Sequence, residues 1–451
     1  MENDKENINT SQDRVESLAK EYFFVQVECS GNEQLSDVKK KLAKTRKLSQ
    51  SSSGVEQKEI IENDKVFVSD NGQSVGSIIK TMAVNLRQSY HQLDVNKKAV
   101  VSLGLNSIID LSFQYPGAQA PLFSHKQWLQ LQKKYKPKNY NTSIYSDIIT
   151  ILKPIFASFN RKKNFDQNWK TIYTKAKELA AQHDPELDTD EADVSFCIHF
   201  ILQILTAIKH QPSLFNDTVN NSEWDYIVKF WGVVIERLFF FTGLRLKWGD
   251  THLTLIDTVK DMSLKVDLRI LHDGIKQRYN IENEVGVVEV AEEDPGDAKF
   301  NGDRCKVLIE NKAIIDRYLL DGCFVDSVDS LQICGLEIFL INLTLEDQGL
   351  YVGTQFYHSV VNNSLDSLEK YMELAFTLLC FRDNCVEINN KYESHIISLR
   401  TQKKSAKRPA SQIMDDGLTT KQTWIRGSWN PPRTTKSQPP PEPSKLCFEG
   451  S

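Results

Sequence analysis

Two short stretches of this 451-residue chain set ionisable side chains where the geometry of a β-strand would gather them. The first is LKVDLRIL at residues 264–271. Successive strand side chains point to opposite faces, so Lys265, Asp267 and Arg269 share one face while Val266, Leu268 and Ile270 share the other. The second is VGVVEVA at residues 285–291, where the same rule places Glu289 with Val287 and Ala291, against Val288 and Val290. An interior strand of a mixed sheet is a near-continuous apolar run, and an unpaired carboxylate buried in one is costly. Glu289 therefore requires a partner, and Arg269, Lys265 and a metal ion are the candidates. If the two strands are neighbours, Asp267 and Glu289 together offer hard oxygen ligands to Mg2+ or Mn2+. The competing reading is a structural network in which Lys265, Asp267 and Arg269 compensate Glu289.

The elements that must position these residues follow from apolar periodicity. SEWDYIVKFWGVVIERLFFF opens on a capping-box-like pair, Ser222 and Asp225, and carries Tyr226, Phe230, Val233, Val234 and Leu238 on one helical stripe. Strand-like runs LRLKW, LKVDLRIL and VGVVEVA follow, then a helix CKVLIENKAIIDRYLL. LQICGLEIFLINLTL and LYVGTQFYHSVV are two further strands, and SLDSLEKYMELAFTLLCF is the last helix. This order predicts an α/β domain over residues 216–400, a mixed sheet flanked by helices.

Ahead of it, residues 78–213 read as an α-helical domain. Ile78, Met82, Leu86 and Tyr90 recur every four residues, and helices are predicted over 98–113, 126–134, 146–158, 164–182 and 191–209. Pro116, Pro121, Pro137, Pro185 and Pro212 fall between them, and no repeat period is visible, so a bundle is expected. Residues 1–77 are polar and residues 401–451 are rich in Pro, Ser and Lys. Both are expected to be mostly disordered, because such composition buries too little apolar area to offset ordering entropy.

The order helix, three strands, helix, strands, with Asp267 on the second strand and Glu289 on the third, resembles the PD-(D/E)XK nuclease superfamily. The resemblance spans about residues 222–345 and rests on element order more than on a dense motif. It implies a restriction-endonuclease-like fold, Asp267 and Glu289 as metal ligands for Mg2+ or Mn2+, and Glu223 or Glu236 as the helix glutamate. The chain departs from the family where a lysine should stand two residues after the glutamate: that position is Ala291. Lys265 is the first candidate to replace it, being on the Asp267 face of the neighbouring strand, with Lys306 and Lys312 on the next helix as further candidates. The expectation is a nuclease-derived, catalytically degenerate domain that binds nucleic acid or a nuclear partner. The alternatives are an active nuclease with a migrated lysine and a non-catalytic interaction scaffold. SEWDYIVKFWGVVIERLF, LRLKWGDT and KVDLRIL also look like a lineage-expanded protein family of mucoralean fungi, a likeness that implies no particular activity.

Charge and composition narrow the field further. Residues 78–400 carry 35 basic against 42 acidic side chains, and residues 401–451 carry nine against four. An acidic body is a poor non-specific polyanion binder, so nucleic-acid contact has to be local, metal-assisted or made by the tail. The acidic run around Glu289, with Glu282, Glu284, Glu292, Glu293, Asp294 and Asp297, lacks EF-hand spacing and reads as solvated loop on either side of a strand. The eight cysteines form no CxxC pair and read as structural thiols. The apolar run at 196–208 falls short of a spanning helix, the polar start is not a secretory signal, and no membrane partner is expected. No phosphate-binding glycine loop or nucleophile elbow is found. His199 reads as a core histidine, and Trp224, Trp231 and Trp248 as packing residues. Lys403, Lys404, Lys407 and Arg408 in KKSAKRP look like a nuclear-import cluster, which makes nuclear localisation the expectation.

Overall fold

In the computed structural model the described residues are 64–66, 72–112, 118–184, 186, 189–252, 265–276, 279–405 and 421–431. The chain order is α1 (Val75–Arg87), α2 (Val95–Leu105), β1 (Ile108–Asp110), α3 (His125–Lys134), α4 (Ser146–Phe156), α5 (Phe165–Gln182) and α6 (Ala192–His210). Then follow α7 (Glu223–Tyr226), a π turn (Ile227–Trp231), α8 (Gly232–Phe239), β2 (Arg245–His252), β3 (Lys265–Lys276), β4 (Tyr279–Ala291) and α9 (Gly296–Leu320). The chain ends its regular elements with β5 (Ser327–Cys334), β6 (Glu337–Glu346), β7 (Leu350–Val360) and α10 (Tyr371–Ser405). The α/β class is as expected: seven strands form one mixed sheet in the order β1-β7-β6-β5-β4-β3-β2, flanked by helices. β4 runs parallel to β5 and β1 parallel to β7, while the other pairs are antiparallel.

Two strands escaped the sequence reading. LQICGLEIFLINLTL is a hairpin, β5 and β6, turning at Gly335 with φ +59°. A Cβ there would lie 2.8 Å from Glu293 Cα, so glycine is required both by the backbone and by the close approach. β1 lies inside the predicted helix 98–113. Three residues are too few to show an alternation, and the strand is specified by the open edge of β7 that it pairs with. The sheet thus draws a strand from the helical stretch, and one apolar core joins Leu152, Ile201 and Leu205 to Leu268, Val288 and Leu331.

Helix faces also shifted. α1 buries Val75, Ile79 and Ala83 rather than the Ile78, Met82 and Leu86 row, because α2 meets it at Gly104, where a Cβ would lie 2.6 Å from Ile79 O. The Ser222–Asp225 capping box forms: Asp225 N–H donates to Ser222 Oγ at 3.3 Å and Ser222 N–H to Asp225 Oδ2 at 2.9 Å. Past it, the π turn inserts one residue into the stripe, burying Tyr226, Phe230, Val234 and Leu238 and turning Val233 out to 49% exposure. Gly232 permits that turn, since a Cβ there would lie 2.5 Å from Ile227 O.

α6 is long and apolar enough by length and composition to cross a membrane, but it runs through the core with two thirds of its most apolar window buried. Within the tail expected to be disordered, residues 421–431 lie against the body. Trp429 is fully buried, its N–H donates to Asn106 Oδ1 at 2.9 Å, and Lys312 Nζ donates to Arg426 O at 2.6 Å. α10 runs through Lys403 and Lys404, while Lys407 and Arg408 lie outside the described residues.

Candidate active site

β3 and β4 are neighbours, as the metal reading required, and their ladder ends at the pair Leu268–Val288. Beyond that pair the N–H of Val290 is taken by the carboxylate of Asp267, Oδ2 accepting at 2.9 Å. Asp267 is half-buried, and Glu289 is wholly buried one residue before Val290. Glu289 points to the sheet face covered by α9, where Lys306 Nζ meets its Oε2 at 2.5 Å. Glu289 sits opposite Gln332 on β5, and Gln332 Nε2 donates to Phe300 O on α9 at 2.9 Å, so both side chains face the same helix. Glu310, one turn beyond Lys306, is also fully buried.

The cluster is short of hydrogen-bond donors. Glu289 Oε1, both oxygens of Glu310 and Gln332 Oε1 are buried with no hydrogen-bond partner. Buried acceptors are normally satisfied, and a group of them in one place calls for a proton, a water or a cation. Electrostatics agree. Burial, then Glu310 and Asp267, push the Glu289 carboxyl well above the usual carboxylate range, against the pull of Lys306. Burial pushes Glu310 up as well, with Asp267 and Asp303 adding to it and Lys306 opposing. Burial alone would lower Lys306, but Glu289 and Glu310 overcome it and hold the ammonium charged.

The first residue of α7 completes the group. Burial and then Asp267 raise the Glu223 carboxyl, and Lys299 Nζ stands 3.9 Å from it while binding Asp303 at 2.9 Å. Of the two helix-acid candidates, Glu223 therefore adjoins Asp267. Glu236 lies on α8, where it accepts from Trp248 Nε1 at 2.5 Å. Lys265 is exposed at the start of β3, paired in register with His252. Lys312 is fully buried and bound to Asp316 at 2.5 Å, on the side of α9 that holds the 421–431 segment. The ammonium beside Glu289 is thus that of Lys306. Arg269, considered as its partner, turns instead to Glu282 at 3.0 Å and to Glu284, both in β4 rather than in a loop.

Glu310 and Gln332 were not singled out from sequence. Glu310 is four residues after Lys306 and so on the same helix face, a spacing that was legible. Gln332 depends on the β4–β5 register, which was not. Among the described residues no three His, Cys, Asp or Glu side chains form a group placed to hold a metal ion as they stand. Magnesium, however, commonly takes one or two carboxylates and fills its shell with water and phosphate oxygens, and the unsatisfied Glu289 Oε1 beside Asp267 fits that requirement. No protein-family model, curated protein or solved structure matches the chain.

Proposed function

We propose that the chain is a nuclease-derived protein whose cluster at Asp267, Glu289 and Lys306 hydrolyses a phosphodiester with Mg2+ or Mn2+ bound. Asp267 and Glu289 are the residues that would hold the ion, which would supply charge neutralisation at the phosphate. Lys306 takes the place left by Ala291: an ammonium from α9, kept charged by Glu289 and Glu310, is available to orient an attacking water or a phosphate oxygen. Glu223 borders the same cluster from the helix start. The observation that carries the reading is Lys306 at 2.5 Å from a buried carboxylate that retains an unsatisfied oxygen. Nucleic acid is the proposed substrate or ligand, and the nucleus the proposed location, on the strength of the basic cluster at 403–408.

A second reading, a site that binds but no longer cleaves, is favoured by Ala291 standing where the nuclease pattern has its lysine. Incubation of single- and double-stranded DNA with the full chain in Mn2+ separates the two. Cleavage that falls about 100-fold or more in Lys306→Met and persists in Lys265→Ala supports the proposal. Loss in Lys265→Ala with Lys306→Met active would move the lysine to β3. Mn2+ binding without cleavage by the parent protein supports the second reading.

A further inference from the structure

Beside the helix that begins with Glu223 lies an open groove of about 730 Å3, within the range of about 300–1,000 Å3 typical of small-ligand sites. One wall is α7, the π turn and α8, and the other is formed by α5 and α6. Trp224, Val228, Val233 and Phe240 line it while remaining between 49% and 65% exposed. A row of large apolar side chains left in water along one helix is unusual when the opposite stripe of the same helix, Tyr226, Phe230, Val234 and Leu238, already supplies its core contacts.

The groove is also polarised along its length. Lys177 of α5 and Arg237 of α8 stand at one end, both close enough to His199 to oppose its protonation after burial has done so. Neither cation has a carboxylate partner among the described residues; Arg237 donates to Ser195 Oγ at 2.8 Å. His199 Nδ1–H donates to Ser195 O at 2.9 Å, which fixes the ring beside them. Glu236 is the one carboxylate on the lining, and it is occupied by the Trp248 N–H. From Arg237 back to Trp224, about 20 Å at 1.5 Å per residue, the helix turns Val233, Val228, Ile227 and Trp224 toward the groove. The charges sit at one end and the apolar wall continues to the other.

We propose that this groove binds a linear amphipathic anion, a long-chain carboxylate whose head meets Lys177 and Arg237 and whose chain runs along α8 and α7 toward Trp224. The complementarity is of two kinds: two cations that have no carboxylate partner among the described residues for the head, and exposed aliphatic and aromatic side chains for the chain. The site is separate from the Asp267 cluster, so its test does not depend on catalysis.

The test titrates the full chain with sodium tetradecanoate below its micelle concentration, read by tryptophan fluorescence and calorimetry. Saturable binding at one site is expected, with Trp224 reporting it. Lys177→Gln combined with Arg237→Gln should weaken binding about tenfold or more, the loss expected for about 1.4 kcal/mol of head-group attraction. Val228→Glu should weaken it to a similar degree by blocking the chain. All three residues are at least partly exposed, so circular dichroism should show folded variants, and Asp267→Asn should bind as the parent does. The proposal is overturned if the parent shows no saturable binding, whether because a second copy or another part of the chain fills the groove. It is overturned equally if the double variant binds as well as the parent, or if an uncharged detergent of the same chain length binds as tightly as the carboxylate.

Discussion

The two ends of the β3–β4 hairpin carry the same kinds of residue in opposite balance. At the end near the turn, Arg245, Lys247, Arg269 and Arg317 face Asp273, Glu282 and Glu284. Arg269 is almost wholly buried and bridges two glutamates, and Arg317 closes the network from α9 with a 2.7 Å contact to Glu284 and a 2.6 Å contact to Asn283. At the other end Lys306 and Lys299 face Glu223, Asp267, Glu289, Asp303 and Glu310, and four buried oxygens have no donor. Cations exceed carboxylates in the first network, and carboxylates exceed cations in the second. The first is a completed structural device. The second is an arrangement whose balance requires something further, and that surplus, rather than the presence of acidic residues on a strand, is what marks a candidate site.

The largest effect should come from breaking the cation-rich end. Arg269→Ala leaves Glu282 and Glu284 without their buried cation, and breaking a buried pair from one side costs about 3–5 kcal/mol. Urea unfolding should show that loss. A change below about 1 kcal/mol would mean that the network is solvated and the contrast between the two ends is false.

Removing charge from the other end should act in the opposite direction. Glu310→Gln replaces a carboxyl that has no hydrogen-bond donor, so stability is expected to be unchanged or to rise by up to about 2 kcal/mol. The pH dependence sharpens this. A carboxyl whose folded pKa lies above its unfolded value of about 4.5 favours folding while protonated, and its contribution is lost as pH rises through the folded pKa. The advantage of Glu310→Gln over the parent should therefore grow from pH 5 to pH 8. Glu282 behaves in the reverse sense. Although burial opposes it, Lys247, Arg245 and Arg269 hold its carboxyl down at about 2, so its contribution is present above the unfolded value and disappears as pH falls from about 4.5 toward 2. Parallel unfolding curves of the parent and Glu310→Gln across pH would contradict the difference drawn between the two ends.

How much of this was legible in the sequence follows from which interactions are local. The α/β class, the three strands after the capped helix, and Asp267 and Glu289 on successive strands all rest on periods of two and 3.6 residues, while the pairing of those two strands is a register that only the fold supplies. The need of Glu289 for a partner was legible too, from a carboxylate in an apolar run. The partner itself was not. Lys265 stood closest in sequence, two residues from Asp267, but choosing Lys306 requires knowing how α9 lies across β4, a tertiary contact 17 residues away in the chain. Gln332, β1 and the burial of Trp429 share that dependence on long-range register. The hairpin at Gly335 is a different case: a glycine within a strand-like run signals a turn or bulge, and the signal was local.

The effect on metal binding should be intermediate. Calorimetric titration of the parent with Mn2+ is expected to show binding that Asp267→Ala weakens, since the substitution removes a charged ligand and also frees the Val290 N–H. Glu289→Gln should weaken it as well. Equal Mn2+ binding by both variants and the parent would place any metal elsewhere and leave the surplus of carboxylates to be settled by protons.

The smallest expected effect separates the two helix glutamates. Glu223 and Glu236 lie on one continuous helical path, and by sequence either could serve as the helix acid. Glu223 experiences Asp267, Lys299 and Lys306, whereas Glu236 accepts from Trp248 on the wall of the apolar groove. Glu223→Gln should therefore alter Mn2+ affinity, in a direction set by whether its carboxyl competes with or assists the ion, while Glu236→Gln should leave that affinity within about twofold of the parent. A glutamine at 236 can still accept from the indole N–H, so folding should be unaffected and the comparison remains readable. If Glu236→Gln changes metal binding while Glu223→Gln does not, the acidic end of the hairpin cannot be the site. The surplus of carboxylates there would then be a buried, proton-sharing cluster, with the start of the helix contributing only its cap.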